Sequence, residues 1–310
     1  MTQTPFLLDF DPQIGVAVEI SPGLRRLTAP NASPMTFRGT NTYLLGEKDI
    51  AVIDPGPDHP EHLASILKAV GPAHKIGHIF VTHSHVDHSP LAKRLAALTD
   101  APILALGDSW TGRSPTMERL AKTTNLGGGE GVDADFAPDI TLKDGEKVST
   151  FEWELTAITT PGHFSNHLCF AWTGDKSLFS GDHVMSWATT LVSPPDGDLT
   201  AFMTSLKKLQ ARDQDQIYYP GHGELLTDPQ HMLRHLYSHR KGRESQILSA
   251  LEDQASTPLE LTHKIYTEIP EALMPVAARN VFAHLIDLTQ RNLAEPTETL
   301  AADARFRIVR

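Results

Sequence analysis

The stretch VTHSHVDHSP, residues 81–90, sets His83, His85, Asp87 and His88 within six positions directly behind the apolar run HIFV. Three imidazoles this close repel one another when charged, so the stretch is either a solvated polar loop or a set of ligands around a cation. Histidine nitrogens and aspartate oxygens supply the lone pairs that a zinc-like cation takes at about 2.0–2.2 Å. Residues 83 and 85 alternate, as at the end of a strand, so both side chains can face one way. Asp87 and His88 then fall on the turn into the helical pattern SPLAKRL. Three further apolar runs end in a polar group after a glycine: TTPGHFSNH offers His163, LFSGDHV offers Asp182 and YYPGHGE offers His222. Five histidines and two aspartates on four strand ends suffice for two metal positions of four or five ligands that share one carboxylate. The chain therefore needs a fold that delivers four strand ends to one place.

The rest of the pattern agrees with such a fold. Up to about residue 228, short β-rich runs (TYLLG, DIAVID, HIFVTH, PILAL, FEWELTAI, HLCFAW, SLFSGD, IYYPGHG) alternate with helical ones (PEHLASILKAV, SPLAKRLAAL, LTAFMTSLKKL). Residues 1–228 read as one α/β unit. Residues 229–310 read as a separate, small helical module, with RFRIV as its closing strand. Residues 107–139 carry the weakest signal. NLGGGEG within them reads as a flexible hinge, because a phosphate cradle needs a preceding strand and the Lys-Ser/Thr pair of a P-loop. No internal repeat is present.

With 310 residues, 40% hydrophobic and 21% charged, the chain can bury a sizeable core. No apolar stretch approaches the ~20 residues of a membrane span, and MTQTPFLLDFDPQ lacks the basic start of a signal peptide. The single Cys169, inside HLCFAW, excludes an intramolecular disulfide and reads as an inert core residue. A cytoplasmic location is the expectation. From His231 to Arg310 ten bases meet ten acids, so the whole net charge of −11 falls on residues 1–230. An acidic body argues against a broad nucleic-acid surface, which would want a basic face.

The motifs HSHVDH, PGH, SGD and PGHG, in that order, resemble those of the metallo-β-lactamase superfamily over about residues 15–228. FRGTNTYLLG, GDHVMSWATTLVSPPDGD and the helical tail resemble the branch with a C-terminal winged-helix-like extension, which includes endoribonuclease-type members and bacterial hydrolases. The resemblance implies an αββα sandwich with a metal site at one edge of two packed sheets. It also implies that His83, His85 and His163 hold a first metal, that Asp87, His88 and His222 hold a second, and that Asp182 bridges the two. Two Zn²⁺ ions are the expected cofactors, with Mn²⁺ or Fe²⁺ as substitutes.

Two divalent ions and the catalytic pair Asp87 and Asp182 leave a surplus of positive charge in the cleft. One zinc alone lowers the pKa of its water to ~7, so a metal-held hydroxide is the expected nucleophile. GDSWTG is not a nucleophile elbow, and no serine or cysteine nucleophile is evident. The reading is a hydrolase acting on a small ester, thioester, lactone or amide. The alternatives are cleavage of single-stranded RNA, a binding module with structural metals, and persulfide oxidation at a single iron. Asp87 and His88 together with His222 favour a dinuclear site over the last. A small-molecule substrate is the expected partner, RNA the second candidate, a homo-oligomer is compatible, and no membrane is involved. Asn41, His167, Trp187 and Thr190 are the candidate substrate contacts. Asn41 serves equally as a turn residue, and His167 as a residue behind the ligands. His183 reads as a non-ligand, and His59, His62, His74 and His78 as packing or surface residues. HRKGRE, residues 239–244, is the one compact basic cluster of the tail and reads as a solvated helix face.

Overall fold

The computed structural model describes residues 5–122, 131–267 and 269–309. The glycine-rich residues 125–130 of NLGGGEG lie outside the described residues. Seven strands form one sheet in chain order: β1 (Val18–Ser21), β2 (Leu24–Thr28), β3 (Asn41–Leu45), β4 (Asp49–Ile53), β5 (Lys75–Phe80), β6 (Ile103–Ala105) and β7 (Ile140–Thr141). Five more, β8 (Lys147–Ser149), β9 (Glu154–Thr159), β10 (Leu168–Trp172), β11 (Ser177–Gly181) and β12 (Ile217–Pro220), form a second sheet in the order β12-β11-β10-β9-β8. Both sheets are mixed, antiparallel where hairpins connect neighbours and parallel where a helix crosses over.

The burial pattern explains the layering. Tyr43, Leu45, Ala51, Ile53 and Phe80 on one sheet pack against Leu155, Phe170, Trp172, Phe179 and Tyr219 on the other. The opposite face of the first sheet is covered by α1 (Pro60–Val70) and α2 (Leu91–Thr99), through Leu63, Ile66, Val70, Leu91 and Leu95. Helix α4 (Leu199–Gln210) covers the second sheet through Phe202, Leu206 and Leu209. The result is the αββα sandwich. Strands such as NTYLL and LCFAW are buried along their whole length because both faces are covered, which is why they read as unbroken apolar runs.

Between them lies α3 (Pro115–Ala121), capped by Ser114, whose side chain accepts from the Met117 amide. The tail comprises α5 (Pro229–Asp253), α6 (Pro258–Ile265), a short 3₁₀ turn, α7 (Met274–Gln290) and a hairpin of β13 (Ala294–Pro296) and β14 (Phe306–Ile308). RFRIV thus has a partner strand, AEP, whose Pro and Glu hide it from a β-propensity reading. The start of α5 joins the body: Met232, Leu233 and Leu236 share one apolar cluster with α4 and the second sheet. Its later half, with α6, α7 and β14, builds another around Ile247, Leu261, Phe282 and Phe306. No described helix is long and apolar enough to cross a membrane.

Candidate metal centre

Strand direction decides where the polar strand ends meet. β9 and β11 are both antiparallel to β10, and β12 is parallel to β11, so β9, β11 and β12 all finish at one edge. β4 and β5 are parallel in the facing sheet. The loops after β5, β9, β11 and β12 carry His83, His85, Asp87, His88, His163, Asp182 and His222, and all seven converge. At residue 221 the backbone passes so close to Asp182 Oδ1 and His88 Cε1 that any Cβ would collide with them. At Gly181, φ is +49° and a Cβ would lie 2.6 Å from His167 Nε2. Both glycines are what the sequence needs there to let the loops close.

His83 Nε2 and His163 Nε2 lie 2.9 and 3.1 Å from His85 Nδ1. The far nitrogens are committed elsewhere. His163 Nδ1 donates to the Leu191 carbonyl at 2.7 Å. His83 Nδ1 donates to Thr82 Oγ1 at 3.0 Å, since the Thr82 hydroxyl proton is given to Asp54 Oδ2 at 2.8 Å. The near nitrogens of His83 and His163 are therefore left as acceptors, and both converge on His85 Nδ1. Beside them His88 Nε2 and His222 Nε2 lie 3.3 Å apart, and Asp87 Oδ2 is 3.1 Å from His222 Nε2. His88 Nδ1 is held by Asp54 Oδ2 at 2.9 Å, and His222 Nδ1 by the Gly39 carbonyl at 3.2 Å. Asp182 lies between the groups: its Oδ2 is 3.3 Å from His222 Nε2 and 3.7 Å from His163 Nε2. Its Oδ1 is buried and accepts no hydrogen bond among the described residues. Donor atoms of His83, His85 and His163, and separately of Asp87, His88 and His222, all fall within 4.8 Å of one another.

The electrostatics divide the cluster. Burial, reinforced by neighbouring imidazoles, lowers the pKa of His83 and takes His85 to about 3, so both rings stay neutral. Burial also outweighs Asp182 at His163 and lowers it. At His88 and His222 burial is overcome by Asp87 and Asp182, which raise His88 and lift His222 to about 10. Burial is overcome at the two carboxylates as well, and both are held ionised by the His88 and His222 charges. Without a cation, protons on His88 and His222 balance the two carboxylates; a bound cation displaces them.

The other sequence candidates fall differently. Asn41 does not present its amide at the cleft edge. It is buried, donates through its side chain to the carbonyls of Pro220 and Gly223 at 3.1 and 2.8 Å and through its backbone N–H to the carbonyl of Gly221, so it anchors the His222 loop. Thr190 is buried too. Its hydroxyl donates to the Asp182 carbonyl at 2.9 Å, bracing that loop from behind rather than walling the cleft. His167 lies under the cluster, bonded through Nδ1 to Thr160 Oγ1 at 2.8 Å, with its ring 5.1 Å from that of His83. Trp187 is half-buried and stacks on Phe37 with ring centroids 5.0 Å apart. His183 is buried with both nitrogens unpartnered among the described residues, its ring 4.5 Å from Phe202. Residues 131–133 brace the HSHVDH turn: the Gly131 carbonyl accepts from the Val86 amide, and Ser89 Oγ donates to Asp133 Oδ2 at 2.7 Å. HRKGRE is not a solvated face throughout, because Arg240 is buried and Arg243 stacks 3.8 Å from the Tyr266 ring centroid. Sequence reasoning missed Asp54. It sits at φ +50° after β4, and its carboxylate fixes His88 while bonding the Thr82 amide and hydroxyl.

Residues 35–222 match the family model described as the metallo-beta-lactamase superfamily, and residues 257–302 that of the beta-lactamase associated winged helix domain. Similar curated proteins include a beta-lactamase-like protein 2 homolog from Drosophila melanogaster, 28% identical over 94% of this chain and 96% of that protein. An atrochrysone carboxyl ACP thioesterase from Aspergillus fumigatus is 28% identical over 81% of this chain and 76% of its own. Among solved structures, a beta-lactamase domain protein from Burkholderia ambifaria superposes with a TM-score of 0.80 at 20% identity, covering 97% of this chain and 95% of that one. A metallo-beta-lactamase family protein from Thermus thermophilus gives 0.75 at 22%, over 94% and 100%. The first family match runs through all seven converging residues, and by it the chain belongs to the metallo-β-lactamase superfamily.

Proposed function

We propose that the seven residues hold two divalent cations, zinc foremost, and that the protein hydrolyses a small thioester, ester, lactone or amide. Family membership makes the chain a hydrolase of this fold; the cation pair and the substrate class are the further reading. The observation that carries it is the pair of converging donor sets with Asp182 between them. The donor set fits the group. Five imidazoles and two carboxylates suit zinc-like ions, whereas magnesium and calcium want oxygen alone. Each far nitrogen of His83, His88, His163 and His222 is tied to a hydroxyl, carboxylate or carbonyl, the arrangement that orients a metal-binding ring. His83, His85 and His163 would hold the first cation, Asp87, His88 and His222 the second, with Asp182 shared.

When bound, such cations polarise a carbonyl oxygen and acidify water. The chain supplies the rest. Asp87, with a fifth of its side chain exposed, is the ligand carboxylate most open to the cleft; Thr40 Oγ1 donates to its Oδ2 at 3.4 Å and holds it there. Its depressed pKa keeps that oxygen an acceptor for the proton of an approaching hydroxyl group. Cys169 cannot act as a nucleophile: it is buried and its pKa is pushed up to about 12. The similarity to a thioesterase supports acyl substrates, and the loss of Arg240 from the basic cluster removes support for RNA.

The test is turnover of thioester, ester, lactone, β-lactam and short-RNA substrates on one preparation, before and after chelation and zinc return. Acyl hydrolysis that vanishes on chelation and returns with zinc supports the reading. RNA cleavage without acyl turnover, or oxygen uptake on a persulfide, overturns it.

A further inference from the structure

Arg240 on α5 is only 3% exposed. Its Nη1 donates to Asn280 Oδ1 on α7 at 2.7 Å, and its Nη2 donates to the Thr190 backbone carbonyl. The guanidinium carbon lies 5.3 Å from the Phe202 ring centroid on α4. Among the described residues no carboxylate pairs with it. Burial lowers its pKa only to about 10, so it remains a cation at neutral pH. A buried cation without a counter-ion is poor for stability, and an apolar side chain of like volume commonly does as well or better. Its partners point to another role.

Thr190 and Leu191 hold the candidate metal site from behind. Thr190 Oγ1 donates to the Asp182 carbonyl at 2.9 Å, and the Leu191 carbonyl accepts from His163 Nδ1 at 2.7 Å. One dipeptide is thus gripped by α5 on one side and grips two site residues on the other. We infer that Arg240 is a positioning residue through which the helical tail clamps residues 190–191, keeping Asp182 and His163 aimed into the metal site. The inference rests on the metal-site reading above.

Zinc affinity of the full chain, measured by chelator competition with the melting temperature followed in parallel, tests it. Arg240→Met should bind zinc at the His163 position about tenfold more weakly, the lower end of the range for residues that orient metal ligands. Arg240→Lys keeps the charge but cannot reach two acceptors as a fork, and should fall between. Arg291→Ala is the control: it breaks the Arg291 pairs with Glu244 of α5 and Asp287 of α7, and should lower the melting temperature without changing zinc affinity. Thr190→Val leaves the gripped carbonyl but removes the link to Asp182; it should weaken zinc as Arg240→Met does, and it carries the test if Arg240→Met does not fold. Zinc affinity at the wild-type value in folded Arg240→Met, or in Thr190→Val, overturns the inference. A wild-type chain that takes no zinc overturns the metal-site reading itself, and the clamp with it.

Discussion

At the scale of single residues, the converging set was legible because each member follows a glycine or crowds into one hexapeptide, and both are costly arrangements for ordinary loops. Asp54 was not legible: a carboxylate between AVI and PG is also what a simple turn requires. Only the fold shows that its oxygens meet His88 Nδ1 and both Thr82 donors. The positions of Asn41 and Thr190 were illegible for a related reason. Adjacency to a ligand in sequence does not say whether a side chain faces the cleft or the protein behind it. Asp54→Asn keeps the shape and tolerates the positive φ, so it isolates the charge. Zinc affinity at the His88 position should fall about tenfold in this variant. An unchanged affinity would reduce Asp54 to a turn residue.

At the scale of elements, helices with an apolar stripe and fully buried strands were read close to their observed bounds; α1 spans PEHLASILKAV as expected. The elements passed over are short or polar: β1 and β2 carry Glu19, Arg25 and Arg26, β7 has two residues, and α3 lies in the weakly patterned stretch. The basic cluster of α5 shows the limit of reading charge along a helix. Arg240 turns inward, while Lys241 pairs with Glu244 one turn on. A triple change of Arg240, Lys241 and Arg243 would therefore damage the clamp whatever the substrate. The double change Lys241→Ala and Arg243→Ala is the clean probe of phosphate contact. Acyl turnover should stay within about twofold and show no new salt dependence. A salt slope reduced by roughly one unit per lost contact on an RNA substrate would restore the nucleic-acid reading.

At the scale of the whole molecule, two sheets close over one core and present four loops at a shared edge, while the tail packs its first helix against α4 and the second sheet. That edge concentrates neutral, buried histidines, which makes the fold sensitive to acid. Burial takes His62 to about 4 and His183 to about 3. Their folded pKa values lie below the unfolded 6.5, so the unfolded chain binds more protons in between. Their contribution is complete above pH 6.5 and is lost as pH falls towards 4, on the order of 3 kcal/mol for His62. The raised His88 and His222 add nothing in that window, being protonated in both states, and the carboxylates titrate below it. Melting of the chelated chain should accordingly drop steeply from pH 6.5 to 4, and a flat profile would refute the neutral burial of these rings.

The Asp182 carboxylate is proposed to join two cation sites. Elemental analysis of the purified wild type beside Asp182→Ala and His222→Ala addresses this most directly. The wild-type chain should carry about two zinc-like ions, by ligand count. Both should be depleted in Asp182→Ala, and one should be retained in His222→Ala. A wild type carrying a single ion, or Asp182→Ala that keeps both ions and most of its turnover, would rule out the shared carboxylate.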